Sequence, residues 1–244
     1  MAASNPVIII IHGGWHLPQH YAKLSNGLEG AGFEVHMPQL PSMNGAMPPT
    51  ADLASDTEFI KAYVEKLLDA GKTVIAITHS YGGQGLKGAV AHLIYMTAFA
   101  LPEGMSMIDQ VVHMGHKELI PLAFDYRENG TVADRDPRGR LVGAWHDDAE
   151  ADAYVAALGI WGAKPMQQPV ERCAWREIPV TYIETSQDGE VPLVYQEDMV
   201  ARMRAEGVEV KTATLETGHC PNFTMPGEVV KVVEGVASAI SGAA

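Results

Sequence analysis

The chain of 244 residues has only two cysteines, Cys173 and Cys220, too few for a disulfide framework. It is also poor in basic residues, with 17 Lys and Arg against 30 Asp and Glu and a formal net charge of −13. Binding to nucleic acid or to an anionic membrane needs clustered Lys and Arg, so we expect neither partner. No apolar run approaches the ~18 residues of a membrane span, and no signal-peptide pattern is present, so the expected location is the cytoplasm.

Familiar cofactor motifs are missing as well. The sequence has no Walker A loop, no G-x-G-x-x-G after a strand, no C-x-x-C and no H-E-x-x-H. His113 and His116 share an i, i+3 spacing, but a solvated helix face explains this pair better than a metal site. The sequence therefore predicts no metal ion and no organic cofactor, and a small molecule as the binding partner of a monomer or homodimer.

Short apolar runs alternate with helical patterns along the chain. Val7–Ile11 is a continuous β-branched run, typical of a strand buried on both faces of a parallel sheet. Further strands are predicted at residues 33–37, 73–78, 91–97, 180–184 and 210–215, and helices at 52–68, 192–205 and 227–240. This alternation predicts an α/β fold with a mostly parallel central sheet flanked by helices.

The periodic pattern is lost over residues 105–176. Such a segment is too long for a plain connection, so we expect a mostly helical cap inserted between core segments 1–104 and 177–244. Four of its aromatic residues are candidates for an apolar substrate pocket: Phe124, Tyr126, Trp145 and Trp161. For each residue taken alone, a place in the core is the simpler interpretation.

Residues 78–83, with the sequence THSYGG, follow a predicted strand and precede a segment that could start a helix. A serine at such a sharp turn exposes its hydroxyl, and the backbone N–H groups at the helix start can hold an anion. Ser80 is therefore a candidate nucleophile, although serine is also common as a simple N-cap.

A serine nucleophile needs a base and an acid that orients the base, in the chain order Ser, Asp or Glu, His. Asp188 follows the predicted strand 180–184, and His219 follows the strand 210–215. Both therefore fall at the carboxyl edge of the sheet, where ligands bind in open α/β folds. Glu184 and Glu190 are competing acids, Asp188 could be a turn residue, and His219 could be structural.

Attack by the serine creates an oxyanion that needs preorganised N–H donors. One donor is the backbone N–H of Tyr81, and the second is expected from Gly13 or Gly14, between which the sequence does not decide. Trp15 and His16 would then lie near the pocket mouth. His12 is expected to be a buried histidine that braces this loop.

The chain resembles α/β-hydrolase fold enzymes in its segments IIHGGW (residues 10–15) and THSYGG, and in Asp188 and His219. The run of residues 91–100 resembles a branch of small esterases that includes plant methyl esterases and hydroxynitrile lyases. Those lyases carry a threonine and a lysine where this chain has Gly13 and Cys220. The resemblance therefore implies a serine hydrolase that cleaves a small ester, lactone or thioester.

The sequence departs from the pattern of these enzymes at two points, and two other functions are compatible with it. The usual pattern around such a serine is G-x-S-x-G, and here its first position is Thr78 rather than glycine. The glycine-rich stretch of residues 81–90 predicts a very short helix, or one from which a segment is missing.

The scaffold could also serve a lyase, decarboxylase or cyclase that uses His219 as the base. A catalytically silent small-molecule receptor is the third possibility.

Overall fold

The computed structural model describes residues 5–84 and 90–242. Its centre is a six-stranded, entirely parallel sheet with the strand order β2-β1-β3-β4-β8-β9. The strands of this sheet are β1 (Val7–Ile11), β2 (Val35–His36), β3 (Val74–His79), β4 (His92–Met96), β8 (Val180–Thr185) and β9 (Val210–Leu215). The parallel sheet expected from the sequence is confirmed.

Helices cover both faces of this sheet. The helices of the core are α1 (Ala22–Gly30), α2 (Leu53–Asp69), α7 (Leu193–Ala205), α8 (Pro221–Thr224) and α9 (Pro226–Gly242). Along β1, Ile8 and Ile10 pack in the cluster of α1 and α9, whereas Ile9 and Ile11 pack in the cluster of α2 and α7. Burial on both faces is the physical reason why this strand is apolar at every position.

Most predicted elements agree with the structure to within two residues at each end. The main difference is the strand predicted at residues 33–37, which is reduced to β2. This strand lies at the sheet edge and pairs only with β1, and Pro38 follows it after one residue. Proline has no backbone N–H to donate to the ladder, so the strand ends early.

Residues 105–176 mix short helices with a small antiparallel sheet of order β5-β6-β7, which the periodicity did not reveal. The elements are α3 (Met107–His113), α4 (Ile120–Ala123), β5 (Phe124–Tyr126), β6 (Thr131–Asp134), α5 (Asp148–Ala156), β7 (Trp161–Gly162) and α6 (Lys164–Gln167). Strands of two to four residues are too short to show a period of two. Over the described part of the chain, no helix has the length and apolarity to cross a bilayer.

Candidate active site

The turn after β3 holds Ser80 in a left-handed conformation with φ of 54°. The glycines that follow are required by close packing: a Cβ on Gly82 would lie 2.4 Å from the Ile11 carbonyl oxygen, and one on Gly83 would lie 2.6 Å from that of Phe99. The positive φ of Ser80 is strained for a residue with a side chain. Strain of this kind persists where the surrounding structure enforces it, and it is concentrated at functional sites. The sequence THSYGG thus builds a sharp strand-to-helix turn around Ser80.

The two departures noted in the sequence have different outcomes. Thr78 is fully buried in β3, where its hydroxyl donates to the Ile94 carbonyl oxygen of the neighbouring strand at 3.4 Å. A β-branched residue is therefore accommodated at the first position of the turn. After the turn, a 3₁₀ helix runs over Ser80–Gln84. Residues 85–89, on which the expectation of a short or incomplete helix depends, lie outside the described residues.

The loops after β8 and β9 bring Asp188 and His219 together. His219 Nδ1 lies 2.8 Å from Asp188 Oδ2, and both side chains are fully buried. Glu184 does not take this place, since its carboxylate accepts from the exposed Thr214 hydroxyl. Glu190 donates its backbone N–H to Asp188 instead.

Asp188 is held by a full set of donors besides His219. Its Oδ1 accepts the backbone N–H groups of Glu190 and Val191 at 2.8 and 2.7 Å. Its Oδ2 accepts from the Thr185 hydroxyl at 3.1 Å and from the Gln196 amide at 3.2 Å. These bonds fix the carboxylate, so that His219 Nδ1 carries the proton and Nε2 is left as the basic nitrogen.

His219 Nε2 is buried and has no hydrogen-bond partner among the described residues, Ser80 Oγ included. Hydrogen bonds between base and nucleophile are often long before substrate binds. Within the described part of the chain, Nε2 is thus left free to accept a proton.

The structure distinguishes between the two candidate glycines of the first loop. The Gly13 N–H donates to Tyr21 Oη at 3.0 Å, so it is already engaged. Gly14 N–H has no acceptor among the described residues. Opposite this loop, the side chain of Tyr81 is fixed by a 2.8 Å hydrogen bond to buried Asp56, which holds the backbone after Ser80 in place.

A chain of hydrogen bonds connects the three loops of the site. Tyr21 Oη, which accepts from Gly13, lies 2.6 Å from His79 Nδ1, and His79 Nε2 lies 2.9 Å from the His219 carbonyl oxygen. A carbonyl only accepts, so His79 Nε2 carries the proton and Tyr21 donates to Nδ1. The arrangement therefore has a single consistent tautomer.

Burial disfavours a positive charge on the histidines around His219. Burial, reinforced by the proximity of other histidines, lowers the pKa of His16 and of His79 well below the usual value. Burial also lowers the pKa of His12 to about 4. Neutral neighbours do not oppose a positive charge that forms on His219 when it accepts a proton.

The residues expected at the pocket mouth have different surroundings. His16 is fully buried behind the first loop, where Nδ1 donates to the Gly14 carbonyl oxygen and Nε2 lies 3.4 Å from Cys220 Sγ. His12 is also buried and joins this loop to the Leu40 backbone N–H. Trp15 stacks on Phe124 at 6.0 Å and donates to the Val132 carbonyl oxygen, so it connects the loop to the cap.

The other cap aromatics are not gathered in one place. Trp161 is fully buried between Trp15 and Tyr81, with ring centroids 5.0 and 4.9 Å away, and its ring packs directly on Gly14. Trp145 packs on Phe223 of α8 instead. Tyr126 is 38% exposed at the edge of Phe124.

A cavity of about 160 Å³ lies under the cap. Its wall is mostly apolar and includes Phe99, whose N–H donates to the Ser80 carbonyl oxygen, and Phe124. Of the six residues predicted to form the pocket, only Phe124 is part of this wall. The remainder comes largely from α3, α4 and the start of α7: Met107, Ile108, Val111, Leu119, Ile120, Ala123, Pro192 and Tyr195.

Sequence reasoning missed several residues that organise the site. Tyr21 and Asp56 are remote in sequence from the motifs, and their roles arise only from contacts across the fold. His79 lies inside the motif but was not assigned a role. Arg140, a charged residue in the cavity wall, carried no pattern beyond its charge, and Glu190 beside it was considered only as a competing acid.

Comparison with known proteins gives a match over nearly the whole chain: the model of the alpha/beta hydrolase family matches residues 8–232. The alpha/beta hydrolase nvfD of Aspergillus novofumigatus is 29% identical over 95% of this chain and 96% of its own. The probable hydrolase R7 of a Phoma species is 30% identical over 96% and 100%.

Solved structures agree in fold. A pyrethroid hydrolase from Sphingobium faniae superposes with a TM-score of 0.76 at 22% identity, covering 96% of this chain and 98% of its own. A methylesterase from Arabidopsis superposes with a TM-score of 0.74 at 17% identity, covering 96% and 99%. At these identities, the likeness shows a common fold.

Proposed function

Since the chain belongs to the alpha/beta hydrolase family, we propose that it is a serine hydrolase that cleaves a small-molecule ester, lactone or thioester. Relatives named as hydrolases, including a pyrethroid hydrolase and a methylesterase of the same fold, support the hydrolytic class. The observation that carries the proposal is the buried pair of Asp188 and His219, joined at 2.8 Å, beside the strained Ser80 turn.

In the proposed reaction, Ser80 Oγ attacks the substrate carbonyl carbon while His219 Nε2 takes the hydroxyl proton. The carbonyl oxygen becomes an oxyanion, which the backbone N–H groups of Tyr81 and Gly14 stabilise. His219 then gives the proton to the leaving alcohol or thiol. Water, activated by the same histidine, releases the acid from the acyl-enzyme and restores Ser80.

Asp188 has the role of orienting His219 and balancing the positive charge that forms on it. Its hydrogen bonds to Thr185, Gln196 and two backbone N–H groups keep the carboxylate in one position. Fixed donors and acceptors need no reorganisation during the reaction, which is the main source of electrostatic stabilisation in enzyme sites.

A fluorophosphonate probe and 4-nitrophenyl acetate test the proposal. We expect the probe to label wild-type protein at Ser80, and Ser80→Ala to lose labelling and at least about 10³-fold in kcat. Ser25→Ala is the matched control, because the Ser25 hydroxyl lies in an exposed position on α1 and bonds only within the helix.

Two results would contradict the proposal. One is a wild-type protein that neither reacts with the probe nor turns over the ester. The other is a Ser80→Ala variant that keeps its turnover of a native substrate, which would favour a lyase or cyclase with His219 as the base.

A further inference from the structure

Three charged side chains form a polar cluster in the wall of the otherwise apolar cavity under the cap. Arg140 and Glu190 line this cavity, and Asp134 lies behind Arg140. Arg140 Nη2 lies 2.5 Å from Glu190 Oε2, and Arg140 Nη1 lies 3.5 Å from Asp134 Oδ2. The side chains of Glu190 and Asp134 are only 4% and 2% exposed.

The hydrogen-bonding capacity of this cluster is only partly used by the described residues. Arg140 Nη1, Glu190 Oε2 and Asp134 Oδ2 are buried atoms without a hydrogen-bond partner among the described residues, because the short contacts between them are poorly aligned. Arg140 is nevertheless fixed, with Nε donating to the Gly189 carbonyl oxygen and the guanidinium over the Phe124 ring. The Arg140 guanidinium and the Glu190 carboxyl thus lie side by side in the cavity wall.

The guanidinium of Arg140 faces two acidic side chains. Burial raises the pKa of Glu190 well above its usual value, and the neighbouring Asp134 adds to this effect. A carboxylate ligand would have to displace both acidic side chains from Arg140, whereas an ammonium ligand would face the guanidinium.

The size of the cavity limits the ligand further. A volume of about 160 Å³ is comparable with the ~150 Å³ engineered cavity that accepts benzene. The apolar wall formed by Phe99, Met107 and Phe124 suits a ring of that size.

We propose that the Arg140–Glu190–Asp134 cluster is a specificity subsite for a hydroxyl group on a ring-sized apolar part of the substrate. A phenol or cyclic alcohol accepts a hydrogen bond from the Arg140 guanidinium and donates its own proton to the Glu190 carboxyl. One neutral group thus bonds to both polar side chains of the cavity wall, and the ring fills the apolar remainder.

The subsite is directly connected to the proposed catalytic acid. The Glu190 N–H donates to Asp188 Oδ1 at 2.8 Å, so the subsite and the triad share one loop. The inference rests on the proposed hydrolase function in one respect: it takes the bound group to be part of the substrate. Binding of the ring itself can be measured without any turnover.

Isothermal titration calorimetry of the full chain with phenol and with fluorobenzene tests the subsite, since these probes share a ring and differ in the hydroxyl. We expect phenol to bind wild-type protein at least about tenfold more tightly, because a site built to bond a hydroxyl discriminates strongly against its absence. Glu190→Gln and, as a second variant, Arg140→Lys should each reduce this preference to less than about threefold.

Glu197→Gln is the control, because it makes the same chemical change at an exposed position of α7. It should keep the wild-type preference for phenol. Equal affinities of the wild type for both probes would overturn the inference, and so would an undiminished preference in folded Glu190→Gln and Arg140→Lys. A failure of the hydrolase proposal can be distinguished from this result. In that case the fluorophosphonate probe would not label Ser80, while phenol would still bind.

Discussion

Tyr21→Phe removes one hydroxyl that joins the first loop to His79, the residue before the proposed nucleophile Ser80. Tyr21 Oη accepts the Gly13 N–H at 3.0 Å and donates to His79 Nδ1 at 2.6 Å. Both partners are buried, so the variant leaves two polar groups without partners. His79 in turn donates to the carbonyl oxygen of His219, so the loss extends to the proposed catalytic histidine.

The expected cost follows from these two bonds. A buried group that loses its partner costs about 1–3 kcal/mol, so the pair should lower the free energy of unfolding by about 2–6 kcal/mol. For a domain of this size, each kcal/mol lowers Tm by about 2–4 °C, and we expect a decrease of at least about 4 °C. Looser placement of Gly14 and His219 should also lower kcat by about tenfold or more, with a smaller change in KM.

Tyr63→Phe is the matched control. It removes another tyrosine–histidine hydrogen bond, of 2.8 Å to His36 in a partly buried position away from the site. We expect a loss of less than about 1 kcal/mol and no change in kcat. The assay is 4-nitrophenyl ester hydrolysis well below Tm, with Tm from circular dichroism. The reasoning is refuted if Tyr21→Phe loses stability but keeps kcat within twofold of the wild type.

Three further outcomes are expected. Gly14→Ala would place a Cβ 2.5 Å from the Trp161 ring, so it should lower both Tm and kcat, and Trp161→Leu in the same chain should restore part of Tm. Gly82→Ala would place a Cβ 2.4 Å from the Ile11 carbonyl oxygen, which is backbone, so the soluble yield should fall sharply without rescue by shortened side chains. In urea unfolding experiments, the free energy of unfolding should fall by about 3 kcal/mol as pH drops from about 6.5 to 4. Burial lowers the pKa of His12 to about 4 in the folded protein, so over this range the unfolded chain takes up a proton at His12 that the folded chain does not.

The elements around the candidate site were readable from local patterns. A β-branched run such as Val7–Ile11 has one stable place in an α/β protein, at the centre of a parallel sheet. The strand–turn–helix geometry of THSYGG follows from its glycines, each of which contacts backbone where no side chain fits. The chain order of Ser80, Asp188 and His219 at strand ends is likewise a property of the sequence.

Other features depended on contacts between remote segments. The sequence left Gly13 and Gly14 equivalent, and only the bond from Gly13 to Tyr21 distinguishes them. The cap aromatics were expected to line one pocket, yet Trp145 packs on Phe223 and Trp161 on Gly14, because their positions are set by a small sheet with strands too short to produce a pattern.

By itself, the sequence determined the α/β sheet, the turn at Ser80 and the candidate triad, because these depend on periodicity and on residues near each other in the chain. The tertiary structure alone decided how Tyr21 and His79 join the loops and which residues line the cavity. It also brought Arg140 of the cap to Glu190 of the core. Hydrogen bonding and burial of this kind depend on distances in space, and residues 50 positions apart leave no local pattern of their contact.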